Sequence, residues 1–327
     1  MSLRKFLLGL LLSVFSLSVL AVEAPPPLSV SYPQLENARD ARLQASLEGR
    51  LKRLGLMDAV HSRSLAVALV DVTDPLHPRV AEVNGDEMMY AASLPKIAIL
   101  LAAFQKIRDG KLALDDQNRE LLVKMIRYSS NAAATEMIHR VGGDYINDLL
   151  RSTRYRLYDS VNGGLWVGKE YGQAAAWHRD PLHNLSHGAS AMKVARFYYM
   201  LQTGRLVSPK FSQEMKEILG DPGIHHKFVK GLLTSYPDAK IYRKSGTWQL
   251  WHADSALVEH DGHTYIAVAL AHNPKGGEWL SHMIVELDGI ILRQSPPSND
   301  FVLPTAGVVA SRGSDAPLPS SSAARSK

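Results

Sequence analysis

The clearest indication of the architecture is residues 239–271, AKIYRKSGTWQLWHADSALVEHDGHTYIAVALA. This segment contains three runs of apolar, β-branched and aromatic residues, which is typical of strands. Asp261-Gly262 separates the last two runs and strongly indicates a tight hairpin turn. Ser64–Asp71 (SLAVALVD) is also β-prone, and a further strand is expected around Val80–Val83. The sequence therefore predicts strands near both ends of its folded part.

The middle of the chain is expected to be helical. From Ala92 to about Gln202, apolar residues recur with helical spacing in runs that end at turn residues such as Asp109-Gly110 and Gly142-Gly143. Because strands lie on both sides of this region, we predict one antiparallel sheet that is completed late in the chain. An all-helical subdomain over about residues 91–205 is inserted into it, so the predicted fold class is α+β.

The predicted domain covers residues 35–292. Terminal helices are expected to flank the sheet, over Leu35–Leu56 and Glu278–Leu292, and another helix is expected at Ser212–Leu219. Residues 22–34 are rich in proline and are interpreted as a linker. Residues 293–327 are rich in Ser, Pro and Ala, lack periodicity, and are expected to form a disordered tail.

Residues 1–21 have the pattern of a secretory signal peptide. Arg4 and Lys5 form a basic start, an uncharged Leu-rich run follows, and Ala21 provides a small-residue exit. The run is short for a membrane span, which needs about 20 apolar residues. We expect cleavage after Ala21 and a periplasmic or secreted protein. Retention of the segment as a membrane anchor is the alternative.

Composition and charge exclude disulfide bonds and argue against a nucleic-acid partner. The chain has no cysteine, so it has no disulfide, and stability must come from the core. The formal net charge is +5, and it becomes +3 without residues 1–21, which hold two bases and no acids. No basic run of the kind that binds nucleic acid is present. We therefore expect no nucleic-acid partner.

The histidines raise a metal site as an alternative. His178, His183, His187, His225 and His226 are the candidate ligands, but the sequence contains no H-E-x-x-H pattern and no cysteine that could assist. We expect no metal and no cofactor.

The first candidate motif is Ser93-Leu94-Pro95-Lys96, which precedes an unbroken apolar run. Residues three apart share a helix face, so the Ser93 hydroxyl and the Lys96 amine can meet. A lysine can accept a proton at neutral pH only if burial or positive neighbours lower its pKa. Alone, the pattern also fits a helix cap followed by a surface lysine. A second copy exists at Ser190–Lys193.

Two further motifs follow along the chain. Ser129-Ser130-Asn131 lies between predicted helices and could project a hydroxyl and an amide into a cleft, or simply cap a helix; Ser160-Val161-Asn162 is a similar triplet. Lys244-Ser245-Gly246-Thr247 lies in a late strand. There the glycine lets a substrate backbone approach the strand edge, and the lysine supplies positive charge for a carboxylate. The alternative is a strand with one exposed lysine.

Each motif is common, but the ordered set S-x-x-K, S-x-N and K-[ST]-G is not. It resembles the signature of the serine β-lactamase/penicillin-binding-protein superfamily, and most closely that of class A β-lactamases. The resemblance covers about residues 35–292. Only Ser93 has both later motifs downstream in order, and Ser129 has the family's helix–turn–helix setting, so they are preferred over Ser190 and Ser160.

The resemblance implies a β-lactamase/transpeptidase-like fold with an active site between the helical subdomain and the sheet. Ser93 would be the nucleophile and Lys96 the proton acceptor or relay. Ser129 would act as general acid toward the leaving nitrogen, and Asn131 would bind the substrate's amide side chain.

The third motif would bind the rest of the substrate, again by resemblance. Lys244 and Ser245 would hold the substrate carboxylate, and Gly246 would allow close approach. The backbone N–H groups of Ser93 and Thr247 would form the oxyanion hole, where a single donor can be worth roughly 3–4 kcal/mol of barrier.

The chain departs from class A at the residue that activates the deacylating water. No E-x-x-L-N is present, and the nearest match is Asp180-Pro181-Leu182-His183-Asn184. Asp180 is the candidate base, but its shorter side chain displaces the carboxylate, and an Asp before Pro is also a common turn residue. His183 or His187 could replace it, since histidine titrates near neutrality. The segment 162–172 appears as an insertion relative to class A, in which Trp166 is a candidate for lining the site.

Three functions are compatible with these observations. The first is an exported serine acyl hydrolase of the class A β-lactamase type, acting on β-lactam amides and hence conferring antibiotic resistance. The second is a penicillin-binding DD-carboxypeptidase, endopeptidase or esterase acting on peptidoglycan-like substrates. The third is a non-catalytic module that binds or senses β-lactams or muropeptides. In each, we expect a monomer with a small-molecule or peptidoglycan-derived ligand.

Overall fold

The computed structural model describes residues 31–294. The predicted signal peptide, most of the predicted linker and nearly all of the predicted tail lie outside the described residues. The helices are α1 Ala41–Arg53, α2 Met57–His61, α3 Lys96–Arg108, α4 Asp116–Arg127, α5 Asn131–Val141, α6 Gly143–Arg151, α7 Ala191–Gln202, α8 Pro209–Leu219, α9 Phe228–Ser235 and α10 Gly276–Gln294. The strands are β1 Leu65–Asp71, β2 Arg79–Val83, β3 Met89–Tyr90, β4 Tyr158–Asp159, β5 Gly163–Gly164, β6 Trp166–Val167, β7 His187–Ala189, β8 Lys240–Trp248, β9 Trp251–His260 and β10 His263–His272.

The central sheet joins strands from both ends of the described region, as predicted. Its order is β2-β1-β10-β9-β8, and every neighbouring pair is antiparallel. The hairpin between β9 and β10 turns at Asp261 and Gly262, whose φ angles are 52° and 74°. Positive φ at both central residues is the geometry that Asp-Gly favours. The predicted α+β fold is confirmed.

The strand β1 shows why this sheet holds the molecule together. All seven of its residues are buried, because both faces of the sheet are covered. Ala66, Ala68 and Val70 belong to the core on the side of the helical region. Their neighbours Leu65, Val67 and Leu69 pack on the other side with α1 and α10. Side chains alternate along a strand, so one apolar run serves two cores.

The inserted region lies between β2 and α8 and is mostly helical. Its central helix α3 is buried continuously from Lys96 to Gln105, which accounts for the apolar run after the first motif. All residues of α7 are buried as well, so this helix also belongs to the core. The region is not entirely helical, because β3 to β7 are short strands of two or three residues.

The helices differ from the sequence prediction in several places, and α2 is one that was not predicted. The segment Leu35–Leu56 is not one helix: a short 3₁₀ turn at Leu35–Asn37 comes first, and α1 begins only after Asp40, whose carboxylate accepts a hydrogen bond from the Leu43 N–H at 2.7 Å. The helix α9 was not predicted, because it is short and contains Gly231. Within residues 31–294, no helix combines the length and apolar character that a membrane crossing requires.

Candidate active site

Ser93 lies on a tight turn between β3 and α3. The turn places Ala92 at a φ of 49°, and Leu94 N–H donates to Ala91 O at 3.0 Å. The helix α3 proper begins at Lys96, with Pro95 in the N-cap position, so Ser93 precedes the first helical turn. Its backbone N–H donates no hydrogen bond within the described chain, which leaves this N–H available to a ligand.

Lys96 extends from the first turn of α3 to the Ser93 hydroxyl. Its side chain is completely buried, and Nζ lies 3.1 Å from Ser93 Oγ. Nζ also donates to Ser129 O at 2.6 Å and to Asn131 Oδ1 at 2.8 Å. These acceptors are neutral, so no carboxylate compensates the charge of the ammonium. Burial therefore lowers the pKa of Lys96 to about 7.

The second motif reaches the same point from the loop between α4 and α5. Ser129 has a φ of 56°, an uncommon conformation for serine, and its Oγ lies 3.5 Å from Lys96 Nζ. The cap of α5 is the neighbouring Ser130, whose hydroxyl accepts from the Ala133 N–H at 3.2 Å. Ser129 is therefore free of the capping role that was the alternative interpretation.

The third motif completes the cluster from β8. Lys244 is buried, not exposed, and its Nζ donates to Ser129 Oγ at 2.9 Å and to Ser245 O at 2.8 Å. Burial holds its pKa well below the usual value for lysine, and the positive charge of Lys96 lowers it further. The Ser129 hydroxyl thus lies between two amines.

Gly246 lets β8 lie directly against the nucleophile turn. A Cβ on this residue would lie 2.0 Å from Ala91 O and 2.9 Å from Ser93 N, so only glycine fits. The contact brings the start of Thr247 beside the backbone of Ser93. These are the two residues whose N–H groups the resemblance assigns to an oxyanion hole.

A cleft of about 590 Å³ opens above Ser93. Among residues 31–294, no Asp or Glu belongs to its wall, which contains two basic and several aromatic side chains. The lining residues include Tyr90, Ser93, Asn131, Lys169, Tyr171, Arg179, His187, Thr247, Trp248 and Trp251.

Asp180, the candidate deacylating base, does not lie in this lining, so the structure does not bring it together with the three motifs at the cleft. Its carboxylate is buried and accepts hydrogen bonds from the Tyr158 hydroxyl at 2.5 Å and from the His183 N–H at 2.6 Å. A third bond comes from the Leu182 N–H at 3.3 Å. These contacts close the turn at Pro181, so the turn-residue alternative describes Asp180.

The two histidine alternatives differ in position. His183 lines a separate surface cavity with residues around Asn84. His187 lines the cleft, stacks on Tyr171 with ring centroids 4.2 Å apart, and its Nε2 contacts Lys169 O at 3.1 Å. Burial lowers the pKa of His187 to about 3, so its imidazole is neutral and weakly basic.

Sequence reasoning missed two residues at the site, Tyr171 and Lys227. The ring centroid of Tyr171 lies 4.4 Å from Lys96 Nζ, and this ring covers the lysine from the cleft side. Trp166, which was the aromatic candidate from the same insertion, is buried against Tyr158 instead and does not line the cleft. Lys227 contacts the end of β8 from behind. A single Tyr or Lys in a loop carries no pattern that would indicate either role.

The second copies of the S-x-x-K and S-x-N motifs lie away from the cleft. Ser190 is fully buried at the start of α7, and Lys193 pairs with Asp159 at 2.9 Å. Ser160 and Asn162 lie on the exposed turn between β4 and β5. Among residues 31–294, no group of three or more His, Asp or Glu side chains is arranged to hold a metal ion.

A family profile matches most of the chain. The profile named Beta-lactamase2, described as the beta-lactamase enzyme family, matches residues 47–119 and 117–291. The chain belongs to the beta-lactamase enzyme family. The expected resemblance to the serine β-lactamase and penicillin-binding-protein superfamily is therefore confirmed, and family and fold together support a serine hydrolase. Comparison with curated proteins gave no significant match.

Solved structures agree on the fold at low sequence identity. A β-lactamase from Sphaerobacter thermophilus is 16% identical, with a TM-score of 0.60 over 76% of this chain and 96% of that one. PBP-A is 18% identical, with a TM-score of 0.57 over 79% and 99%. A variant of the last common ancestor of Gram-negative class A β-lactamases is 20% identical, with a TM-score of 0.60 over 78% and 100%. The fold is thus shared with both β-lactamases and a penicillin-binding protein.

Proposed function

We propose that this protein is a serine acyl hydrolase that opens β-lactam-type amides through a covalent acyl-enzyme on Ser93. The observation that carries the proposal is the contact of 3.1 Å between Lys96 Nζ and Ser93 Oγ, together with a pKa of Lys96 of about 7. Near neutral pH, a large fraction of Lys96 is the free amine, whose lone pair can accept the hydroxyl proton.

The acylation step follows from the contacts of the three motifs. Ser93 Oγ bonds to the substrate carbonyl carbon while its proton passes to Lys96 Nζ. The charge that develops on the carbonyl oxygen is held by the N–H groups of Ser93 and Thr247. The C–N bond then breaks, and the Ser129 hydroxyl gives its proton to the leaving nitrogen. A proton from Lys96 or Lys244 restores Ser129, since both amines contact its Oγ.

A second candidate, a penicillin-binding peptidase acting on peptidoglycan-like stems, is favoured by the composition of the cleft. Hydrolysis of the acyl-enzyme needs a base that activates water, and within the described part of the chain no carboxylate lines the cleft. His187 is too weakly basic to replace it efficiently, because a general base works best with a pKa near the operating pH. Slow release of a β-lactam adduct is the consequence.

Intact-mass measurement during exposure to benzylpenicillin tests the proposal. We expect one adduct per chain, which Ser93→Ala abolishes and Ser190→Ala, the matched change in the buried decoy motif, leaves unchanged. The lifetime of the adduct after removal of free penicillin separates the two candidates: loss within seconds indicates a β-lactamase, and persistence for minutes or longer indicates the peptidase-like protein. An unmodified wild-type chain, or a modified Ser93→Ala chain, would contradict the proposal.

The site of action is part of the same proposal. Residues 1–21 are proposed to export the chain to the periplasm or the medium, where β-lactams and peptidoglycan are accessible, and the mature protein to act there as a monomer. Cell fractionation with an antibody, and the mass of the recovered chain, test this. Recovery of the full-length chain from the cytosol would contradict it.

A further inference from the structure

Lys227 is a buried lysine outside the three motifs. It lies at the start of α9, and only 4% of the residue is exposed. Its Nζ donates three hydrogen bonds to the neighbouring strands: to Gly246 O at 2.5 Å, to Thr247 Oγ1 at 2.7 Å and to Ala253 O at 3.1 Å. All three acceptors belong to the end of the β8–β9 pair, directly behind the nucleophile turn.

One of these acceptors, Gly246 O, belongs to the peptide group that carries the Thr247 N–H of the predicted oxyanion hole. Gly246 C=O and Thr247 N–H belong to the same planar peptide group, so a donor bound to the oxygen fixes the direction in which the N–H points. A charged donor on the oxygen also polarises the N–H and makes it a stronger donor. The Lys227 ammonium therefore acts on the Thr247 N–H through a single peptide unit.

The backbone around Lys227 is held in place by a buried network of hydrogen bonds. Its φ is 53°, in the left-handed region that non-glycine residues rarely adopt. Arg243 fixes the preceding loop through the carbonyl oxygens of Ile224 and His226. Asp254 accepts the next backbone N–H, that of Phe228, at 3.1 Å, while it pairs with Arg243 at 2.7 Å.

The ammonium form of Lys227 predominates at neutral pH. Burial lowers the pKa of Lys227 to about 8, the carboxylate of Asp254 opposes this shift, and Arg243 adds to it. At pH 7 most Lys227 side chains are therefore protonated and can donate to all three oxygens.

We propose that Lys227 is a positioning residue that orients and polarises the Gly246–Thr247 peptide so that the Thr247 N–H stabilises the oxyanion during acylation of Ser93. The inference rests on the proposed function, because it concerns the acyl-enzyme. It does not require Lys227 to touch the substrate.

The test compares Lys227→Met with the wild-type protein. Methionine keeps the length of the side chain but removes the donor. We expect the acylation rate constant at saturating β-lactam to fall about tenfold, less than the 10²- to 10³-fold loss of a whole oxyanion donor. We also expect the infrared stretching band of the acyl-enzyme ester carbonyl to move to higher wavenumber, because weaker hydrogen bonding strengthens the C=O bond. Lys227→Arg retains a charged donor, so its acylation rate and its ester band should both lie closer to the wild-type values.

The matched control is Lys230→Met. Lys230 is exposed and lies three residues after Lys227, and both residues line a surface cavity on the side of α9. Because Lys230 makes no contact with the Gly246–Thr247 peptide, its loss should change neither the rate nor the band. Thermal unfolding of each variant separates a loss of stability from a loss of positioning, since lower stability alone does not move the ester band.

The outcomes distinguish this inference from the proposed function. An adduct on Lys227→Met with an unmoved ester band would overturn the inference and leave the proposed function intact. Weaker reversible binding with an unmoved band would assign Lys227 to substrate binding instead, and would also overturn it. Failure of the wild-type protein to form any adduct would overturn both. If Lys227→Met does not fold, an unmoved band in Lys227→Gln, which has no charged donor for Gly246 O, would decide against the inference.

Discussion

At the scale of single residues, the chemistry depends on a lysine that is buried without a carboxylate partner. Lys96 has only neutral acceptors, Ser93 Oγ, Ser129 O and Asn131 Oδ1, and the ring of Tyr171 separates it from the cleft. Removing water from an ammonium is costly, so the protein favours the neutral amine. Tyr171 is therefore part of the cause of the low pKa of Lys96, because it excludes water from Nζ.

The pH dependence of acylation tests this account of Lys96. Below pH 7 the amine is protonated and cannot accept a proton, so the acylation rate should rise as pH increases, with a midpoint near 7. Tyr171→Ala admits water to Nζ and should move that midpoint upward, toward the ordinary lysine value of about 10.4. Stopped-flow acylation rates from pH 5 to pH 10 provide the measurement.

The control for this experiment is Tyr145→Ala. Tyr145 also lies against a lysine, with its ring centroid 5.0 Å from Lys106 Nζ, but on a helix surface away from the cleft. Its removal should leave the midpoint near 7. A single midpoint shared by all three proteins, or no pH dependence at all, would contradict the role given to Tyr171.

The residues of the site differ in how well the sequence predicted them. The contacts join four residues that the sequence had indicated: Ser93, Lys96, Ser129 and Lys244. Each could be recognised because it belongs to a short motif with fixed local spacing. Asp180 is not brought to the cleft. The sequence could not indicate this, because an Asp-Pro turn and a displaced catalytic carboxylate have the same sequence pattern, and the contacts of Asp180 with Tyr158 and the turn are seen only in the structure.

At the scale of elements, the site is made by β8 lying against the turn before α3. The glycine at 246 allows this contact, because its Cα faces Ala91 O and Ser93 N directly. The strand is held from behind by α9, which the sequence did not predict. A helix of eight residues that contains a glycine has too little periodicity to be recognised, and its position depends on packing of Gly231 against Ser281 O in α10.

Gly246→Ala tests the contact between these two elements. The added Cβ would meet Ala91 O at 2.0 Å, so β8 must move away from Ser93. A displacement of about 1 Å can cost a hundredfold in rate, and we expect a loss of acylation of that order with a folded protein. Circular dichroism checks folding, and the time course of adduct formation by mass spectrometry gives the rate.

Gly49→Ala is the matched change, because a Cβ at this position in α1 meets nothing within 4 Å. It should leave acylation unchanged and stabilise the protein by about 0.5–1 kcal/mol, as alanine does in helix interiors. Equal acylation rates in Gly246→Ala and in the wild-type protein would show that the close approach of β8 is not needed.

At the scale of the whole molecule, stability and the site share one buried network. The sheet is covered on both faces, and near the cleft the ion pair of Arg243 and Asp254 lies inside it with almost no exposure. Asp254 also accepts the Phe228 N–H, so the pair joins the sheet to α9. The apolar runs of the sequence predicted this architecture, because buried strands and helices leave a periodic signal. They did not predict the ion pair, whose partners are eleven residues apart in an antiparallel register.

Asp254→Ala is expected to destabilise the protein strongly. Its loss leaves the buried Arg243 charge uncompensated, which typically costs about 3–5 kcal/mol of unfolding free energy. Asp221→Ala provides the comparison, since Asp221 pairs with Arg127 at 2.9 Å at the surface and is 89% exposed. The surface change should cost at most about 1 kcal/mol. Urea denaturation measures both, and similar losses in the two variants would contradict the account.

The most direct test of the central claim is to locate the adduct by peptide mapping. Trypsin should release residues 80–96, in which Ser93 is the only serine and no threonine occurs. After exposure to benzylpenicillin and rapid quenching, we predict that the added mass appears on this peptide, at Ser93, and disappears in Ser93→Ala. An adduct on any other peptide, or no adduct on a folded wild-type protein, would contradict the claim that the three motifs together activate Ser93.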